Sequence, residues 1–133
     1  MNEPLFEPRG VPDIARSPSE AVVLSKAAVR AAKLLELTQR EVAAALGISE
    51  ATTSRLFAGK YLLSPERAKE WELARLLVRM FRSLDALWGH EETARLWLNS
   101  PNVALAARPQ ELLRSVEGMV RVVTYLDAAR GRL

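Results

Sequence analysis

The strongest chemical signal in the sequence lies between residues 38 and 60, where polar side chains stand at the starts of two short helices. Thr38 and Glu41 have the spacing of a capping box, in which the hydroxyl accepts a backbone amide and the carboxylate reaches back. Gly47 allows a tight turn, and Ser49 begins the next helix. Two helices joined by such a corner form a helix-turn-helix, whose second helix enters the major groove of DNA. The segment therefore predicts DNA recognition.

The composition limits what other chemistry the chain can carry. It contains no cysteine and a single histidine, His90, which excludes disulfides, cysteine-built zinc sites and histidine clusters within one chain. No nucleophile, base and orienting group can be assembled, and the Glu91-Glu92 pair suits a helix start better than a catalytic dyad. We therefore expect no enzyme activity, no cofactor and no metal. The net charge of +3 is compatible with nucleic-acid binding but too small to demonstrate it.

The elements around this segment are predicted to be helical throughout. The chain has 133 residues, of which 49% are hydrophobic and only 6% aromatic. Alanine and leucine dominate the apolar set, which favours helix over strand. No stretch approaches the roughly 20 apolar residues of a membrane span, and no charged and apolar leader opens the chain. We expect an all-α protein of the cytoplasm that does not contact a membrane.

The sequence divides into three segments. Residues 1–18 hold four of the seven prolines, which predicts a Pro-rich N-terminal arm in an extended conformation. Residues 19–82 form the helix-turn-helix domain, and residues 83–133 form a second helical domain. Apolar spacing and capping residues predict helices over residues 19–35, 39–46, 50–57, 64–88, 91–98 and 115–129, and a short one that opens at Pro109. The apolar face of residues 71–84 and the last helix are either dimer surfaces or internal core.

The segment 38–60 resembles the Xre/Cro family of phage-repressor-like DNA-binding domains. The resemblance rests on Gln39, Glu41-Val42-Ala43, Leu46-Gly47-Ile48-Ser49, Ser54-Arg55-Leu56 and Gly59-Lys60. It implies that Glu50, Ala51 and Arg55 face the bases, where the Arg55 guanidinium could form a bidentate pair with guanine. It also implies contacts to backbone phosphates, from Thr38, Gln39, Ser49, Thr52 and Lys60. Operator DNA is thus one expected partner.

Two residues, Glu50 and Thr53, depart from this family pattern, and a third, Arg55, has an alternative role. Glu50 places a carboxylate near phosphates, where it can accept a hydrogen bond from cytosine but weakens non-specific attraction. Thr53 occupies a position at which the family usually buries an apolar side chain, so looser packing is expected there. Arg55 could instead pair with Glu50 or Glu41 on a solvated face. The whole segment could also be a plain helical hairpin that does not bind DNA.

The chain continues well beyond the length of a minimal helix-turn-helix domain. Its second domain resembles the toxin-binding domain of antitoxins in the Xre/MbcA/ParS group. The matching residues are Trp97-Leu98, Pro101-Asn102, Leu105, Arg108-Pro109, Glu111-Leu112-Leu113, Glu117-Gly118, Val122-Val123, Leu126 and Arg130-Gly131. Ala106-Ala107 replace the glycines that are more usual in the family, a departure that affects this loop. Gly118 lies within a helical pattern, where it costs about 1 kcal/mol relative to alanine. We therefore expect either a close approach of another helix or a kink there.

This resemblance implies an antitoxin of a type II toxin–antitoxin system. Its partner would be a RES-domain toxin that consumes NAD⁺; the antitoxin would cover the toxin active site with its C-terminal segment and repress its own operon. Toxin contacts are expected from Trp97, Arg108, Arg130, Arg132 and Leu133. A homodimer or higher assembly is expected, because one helix-turn-helix reads only a few base pairs. The alternative is a stand-alone Xre/Cro-like regulator with a C-terminal oligomerisation domain, in which the terminal arginines only suit the negative end of the last helix.

Overall fold

The computed structural model describes the backbone of residues 6–131 and the side chains of residues 20–131. This part of the chain folds into helices α1 (Phe6–Leu34), α2 (Gln39–Leu46), α3 (Glu50–Phe57), α4 (Ala68–Trp88), α5 (Glu91–Asn99), α6 (Pro109–Leu112) and α7 (Val116–Gly131). Extended pairing within it is limited to one isolated antiparallel bridge between Asn102 and Ala107. The predicted all-α fold is confirmed. None of the described helices is long and apolar enough to cross a membrane.

The first helix is longer than the sequence predicts. Instead of starting near Ser19, α1 begins at Phe6, so the prediction of an extended arm is wrong for residues 6–18. The proline ring fixes φ close to the helical value, but Pro12 and Pro18 lie inside α1 and each removes one backbone hydrogen bond from it. Pro8 lies in the first turn, where backbone amides have no acceptor within the helix. Residues 1–5 of the predicted arm lie outside the described residues.

The two helices of the predicted helix-turn-helix form with the predicted caps. The Thr38 backbone N–H donates to Oε1 of Glu41 at 2.8 Å, and the Glu41 N–H donates to Oγ1 of Thr38 at 3.0 Å. Gly47 ends α2 with a φ of 71°, a left-handed conformation that glycine adopts without strain. Ser49 then caps α3 by accepting from the Thr52 N–H at 3.0 Å. The fold class and the helix-turn-helix are therefore confirmed.

The start of α4 differs from the prediction. Ser64, Pro65 and Glu66 form a turn instead of the first helical turn, and the helix begins at Ala68. The Ser64 hydroxyl accepts from the Glu66 N–H at 3.2 Å, and the Ser64 carbonyl accepts from the Arg67 N–H at 3.0 Å. These local hydrogen bonds close the turn and compete with helix formation. The helix ends at Trp88, beside left-handed Gly89, where the sequence placed it.

The hydrophobic core is built around α4. This helix packs against α1 and α2 of the first domain and against α5 and α7 of the second. The buried residues of α4 are Leu73, Ala74, Leu77, Val78, Met80, Ser83 and Leu84. The apolar face of residues 71–84 is therefore largely internal core, and the proposed boundary at residue 82 falls within a continuous helix.

Gly118 lies where two backbones meet. A Cβ atom at this position would stand 1.9 Å from the carbonyl oxygen of Leu112, at the end of α6. This oxygen belongs to the backbone, so it cannot move away as the end of a flexible side chain could. The close approach of another helix of the same chain is thus the reason for a glycine inside α7.

We expect Gly118→Ala to destabilise the protein by about 3 kcal/mol or more, because α6 and α7 must separate to admit the methyl group. Chemical denaturation monitored by circular dichroism measures this change in the free energy of unfolding. Gly131→Ala is the matched control, because it lies in the same helix with no heavy atom within 4 Å of the added Cβ. It should be neutral or stabilising by about 0.5 kcal/mol. Equal effects of the two substitutions would contradict the steric argument.

Candidate nucleic-acid interface and partner-binding surface

The recognition helix α3 presents the predicted base-facing residues to solvent. Glu50, Ala51 and Arg55 are exposed, whereas Thr53 and Leu56 face the core. The chain folds this way locally because Ser49 fixes the first turn of α3 and Leu56 anchors its last turn. The exposed face is thus free to enter a groove of DNA.

Arg55 is held within its own helix. Its Nη2 donates to Oγ1 of Thr52 at 3.3 Å, and Oγ of Ser49 donates to the same Thr52 oxygen at 2.9 Å. Glu50 lies instead 4.0 Å from Nε of Arg40, with both side chains largely exposed. Within the described part of the chain, Arg55 forms no ion pair with Glu50 or Glu41, so the alternative pairing does not occur there.

The predicted phosphate-binding residues surround this face. Thr38 and Gln39 are exposed at the start of α2, Ser49 and Thr52 stand at the start of α3, and Lys60 is exposed just after it. The Thr38 and Ser49 oxygens already accept backbone amides as caps. In the part of the chain that the structure describes, the Thr38 hydroxyl donates to no acceptor, so its hydrogen can donate to a phosphate oxygen. Fully buried Thr53 satisfies its own hydroxyl by donating to the Ser49 carbonyl at 2.9 Å.

The loop after α3 is fixed to the start of α4. The Tyr61 hydroxyl donates to a carboxylate oxygen of Glu70, and the Arg67 guanidinium lies 4.9 Å above the Tyr61 ring. Burial, together with the hydrogen bond to Glu70, raises the pKa of Tyr61. The Leu63 N–H donates to the buried hydroxyl of Ser25 at 3.0 Å. These contacts fix the backbone that follows Lys60, whose side chain is exposed.

The second domain carries a half-buried aromatic cluster. The ring centroids of Trp88 and Trp97 lie 5.8 Å apart, and those of Trp97 and Tyr125 lie 6.0 Å apart. This domain also holds four of the large hydrophobic residues that are exposed among the described residues: Leu96, Val103, Val116 and Val120. Val116 and Val120 are four positions apart on α7 and therefore share one helix face. Exposed apolar side chains of this kind offer area that a protein partner could remove from water.

The arginines expected to contact the toxin have intramolecular partners. Nε of Arg108 donates to the Asn99 carbonyl at 3.1 Å, which ties the last residue of α5 to the residue before α6. Nη1 of Arg130 donates to the buried hydroxyl of Ser83 at 3.1 Å, which fastens the last turn of α7 to α4. Arg130 is therefore part of the domain surface and not of a free tail. Arg132 and Leu133 lie outside the described residues.

Sequence reasoning missed one contact that joins the two domains. Nη1 of Arg95, on α5, donates to the Leu34 carbonyl at 2.9 Å, and its Nε lies 3.6 Å from a carboxylate oxygen of Glu36. The Leu34 carbonyl belongs to the last turn of α1, where no amide within the helix donates to the carbonyl oxygens. No local signal could reveal this bond, because the partners are 61 positions apart.

The loop between α5 and α6 has a defined conformation. Asn102 pairs with Ala107 across it, and Oδ1 of Asn102 accepts from the Leu105 N–H at 3.0 Å. Nη2 of Arg121 donates to the Leu105 carbonyl at 2.9 Å. Ala106 has a φ of 59°, in the left-handed region that favours glycine. The alanine at this position is thus strained.

Two family models match the chain. The antitoxin Xre-like helix-turn-helix domain matches residues 15–79, and the antitoxin Xre/MbcA/ParS C-terminal toxin-binding domain matches residues 83–132. These domains define the class as an antitoxin of a toxin–antitoxin system that carries a helix-turn-helix domain. The chain belongs to the Xre/MbcA/ParS-type antitoxins. No curated protein matches it.

We expect Ala106→Gly to stabilise the protein by about 0.5–1 kcal/mol. Relief of the left-handed strain is worth about 1–2 kcal/mol, and the greater freedom of glycine in the unfolded chain offsets part of it. Thermal unfolding of the two proteins checks the difference. Ala104→Gly in the same loop is the control, because Ala104 is not among the residues with positive φ. It should destabilise, and stabilisation by both substitutions would refute the strain argument.

Proposed function

We propose that this antitoxin neutralises a RES-type toxin that consumes NAD⁺, by covering the toxin active site with its C-terminal segment, and that it represses its own operon. The proposal is supported by the family of the chain and by the placement of two exposed surfaces on one core. One surface is the outer face of α3. The other comprises the exposed apolar residues of the second domain.

The exposed apolar residues of the second domain carry the neutralisation half of the proposal. Val103 is 99% exposed and Leu96 is 68% exposed, and nothing in the domain itself requires apolar side chains there. A partner surface would remove them from water and gain about 25 cal/mol per Å² of apolar area. The Trp97 ring, half-buried between Trp88 and Tyr125, supplies a rigid neighbour for such a contact.

The blocking segment follows directly from the end of α7. Because Arg130 is fastened to Ser83, we place the reaching part at Arg132 and Leu133, with Arg130 at its base. A guanidinium there complements a pocket that receives the pyrophosphate of NAD⁺, since arginine binds phosphate oxygens in a bidentate manner. The cognate toxin and operator DNA are thus the proposed partners, in a cytoplasmic homodimer or higher assembly.

Removal of Arg132 and Leu133 should abolish neutralisation while leaving capture intact. The product of the adjacent reading frame is co-expressed with the full chain or with a version ending at Gly131, and growth, cellular NAD⁺ and co-purification are measured. We expect the full chain to restore growth and NAD⁺. The shortened version should co-purify with the toxin and still fail to restore either.

Two further variants make this test specific. Val103→Asp should weaken co-purification without loss of folding, because the side chain it replaces is exposed. Arg75→Gln, on α4, should behave as the full chain. If the product of the adjacent reading frame is harmless and does not co-purify, the neutralisation proposal fails. The alternative function then remains, a stand-alone Xre/Cro-like regulator whose second domain serves oligomerisation.

For the repression half, we expect Arg55→Gln to lower the affinity for the DNA upstream of the reading frame by about 5-fold to 150-fold. This range corresponds to the 1–3 kcal/mol of a bidentate arginine–guanine pair. Affinity for a scrambled duplex should fall much less, because only one positive charge is lost. Equilibrium titrations at constant salt measure both quantities. Equal losses on both duplexes would show that Arg55 contacts phosphate and does not read a base.

A further inference from the structure

A cleft joins the helix-turn-helix to the second domain on the side of the expected DNA contacts. It has a volume of about 440 Å³. Its lining residues are Leu37, Thr38, Arg40, Glu41 and Ala44 from the first domain, and Gln110, Leu113 and Arg114 from the second. The two sides are far apart in sequence, so the fold alone brings the second domain to the amino end of α2.

The cleft continues the predicted DNA-binding face. Glu50, at the start of the recognition helix, lies 4.0 Å from Arg40, and Arg40 lines the cleft beside Thr38. Thr38 is one of the residues expected to hold a backbone phosphate. Arg114 lines the opposite wall. A DNA strand that follows α3 and passes the amino end of α2 therefore reaches Arg114 next.

The side chains of the cleft suit an anionic group. Arg114 is an exposed cation, and so is Arg40, although it lies 4.0 Å from Glu50. Among the described residues the Thr38 hydroxyl donates to no acceptor, and the amide of Gln110 can donate as well. The carboxylate of Glu41 is the one negative group that lines the cleft, and it is engaged by the Thr38 N–H at 2.8 Å. Among the described residues, Arg114 forms no ion pair with it.

The position of Arg114 is fixed by its neighbour. Leu113 is only 3% exposed and anchors the corner between α6 and α7 in the core. Arg114 follows directly and is exposed at the cleft. A side chain presented by an anchored corner pays less entropy when it binds than one on a free loop.

We propose that Arg114 binds a backbone phosphate of the operator, so that the second domain, matched as a toxin-binding domain, contributes directly to the DNA interface. This inference rests on the proposed DNA binding and extends it to a residue outside the helix-turn-helix. Arg114 adds affinity without sequence preference, because phosphate contacts position a protein and do not read bases.

The test is the salt dependence of DNA binding by the full chain. Titrations with the duplex from upstream of the reading frame and with a scrambled duplex give the slope of log affinity against log salt. We expect Arg114→Gln to reduce this slope by about 0.9 for each bound copy, and to weaken both duplexes alike. Arg114→Lys should retain the slope, because it keeps the charge.

Arg75→Gln is the matched control, since it removes the same charge from an exposed arginine of α4 that lines a different groove, with Val23 and Ala27. The inference is overturned if Arg114→Gln and Arg75→Gln have the same slope. A loss of binding for Arg55→Gln with no effect of Arg114→Gln would retain the proposed function and remove this inference alone. Absence of any binding by the unmodified protein would remove both. If Arg114→Gln also lowers the unfolding temperature, Arg114→Lys decides the question. A salt slope for Arg114→Lys that is smaller than that of the unmodified protein then overturns the inference.

Discussion

The packing of α4 is the constraint on which the rest of the structure depends. This helix supplies core residues to both domains, and Leu77, Met80 and Leu84 are fully buried. It contacts α1 and α2 on the DNA-binding side and α5 and α7 on the partner-binding side. Because buried leucines of this kind contribute about 2–5 kcal/mol each, neither domain has a core that is independent of the other.

Arginine side chains join separate segments of the fold by hydrogen bonds, in addition to the packing of α4. Arg95 binds the last turn of α1, Arg121 binds the Leu105 carbonyl, and Arg130 binds the Ser83 hydroxyl. In each case the guanidinium donates to an oxygen of another element. A planar group with five donors on a long stem suits this task, since it reaches across an interface and keeps its charge in water. The ion pair between Arg79 and Asp127 also links α4 to α7.

The features that the sequence predicted correctly are governed by neighbouring residues. The capping box of Thr38 and Glu41, the left-handed turn at Gly47 and the end of α4 at Gly89 each involve contacts within four positions. The turn at Ser64 was missed although it is also local, because a serine–proline–acid sequence suits both a helix start and a closed turn. The outcome there depends on Arg67, whose backbone is not helical.

The features that could not be predicted depend on distant residues. The contact of Arg95 with the end of α1, and the presence of Arg114 beside Thr38, exist only after α4 has brought the two domains together. For the candidate site, the sequence could therefore name the residues of α2 and α3 but not the opposite wall of the cleft.

A shared core also constrains how the two activities can influence each other. The guanidinium of Arg95 joins α5 to the turn before α2, and the corner after α6 lines the cleft at the start of α2. The second domain thus contacts the helix-turn-helix domain directly at both junctions. Coupling between two sites requires a difference in contacts between states, and typical coupling free energies are about 1–3 kcal/mol. One or two hydrogen bonds to charged groups are worth that much, so a partner that altered the contacts at either junction would change the affinity for DNA by an amount of that size.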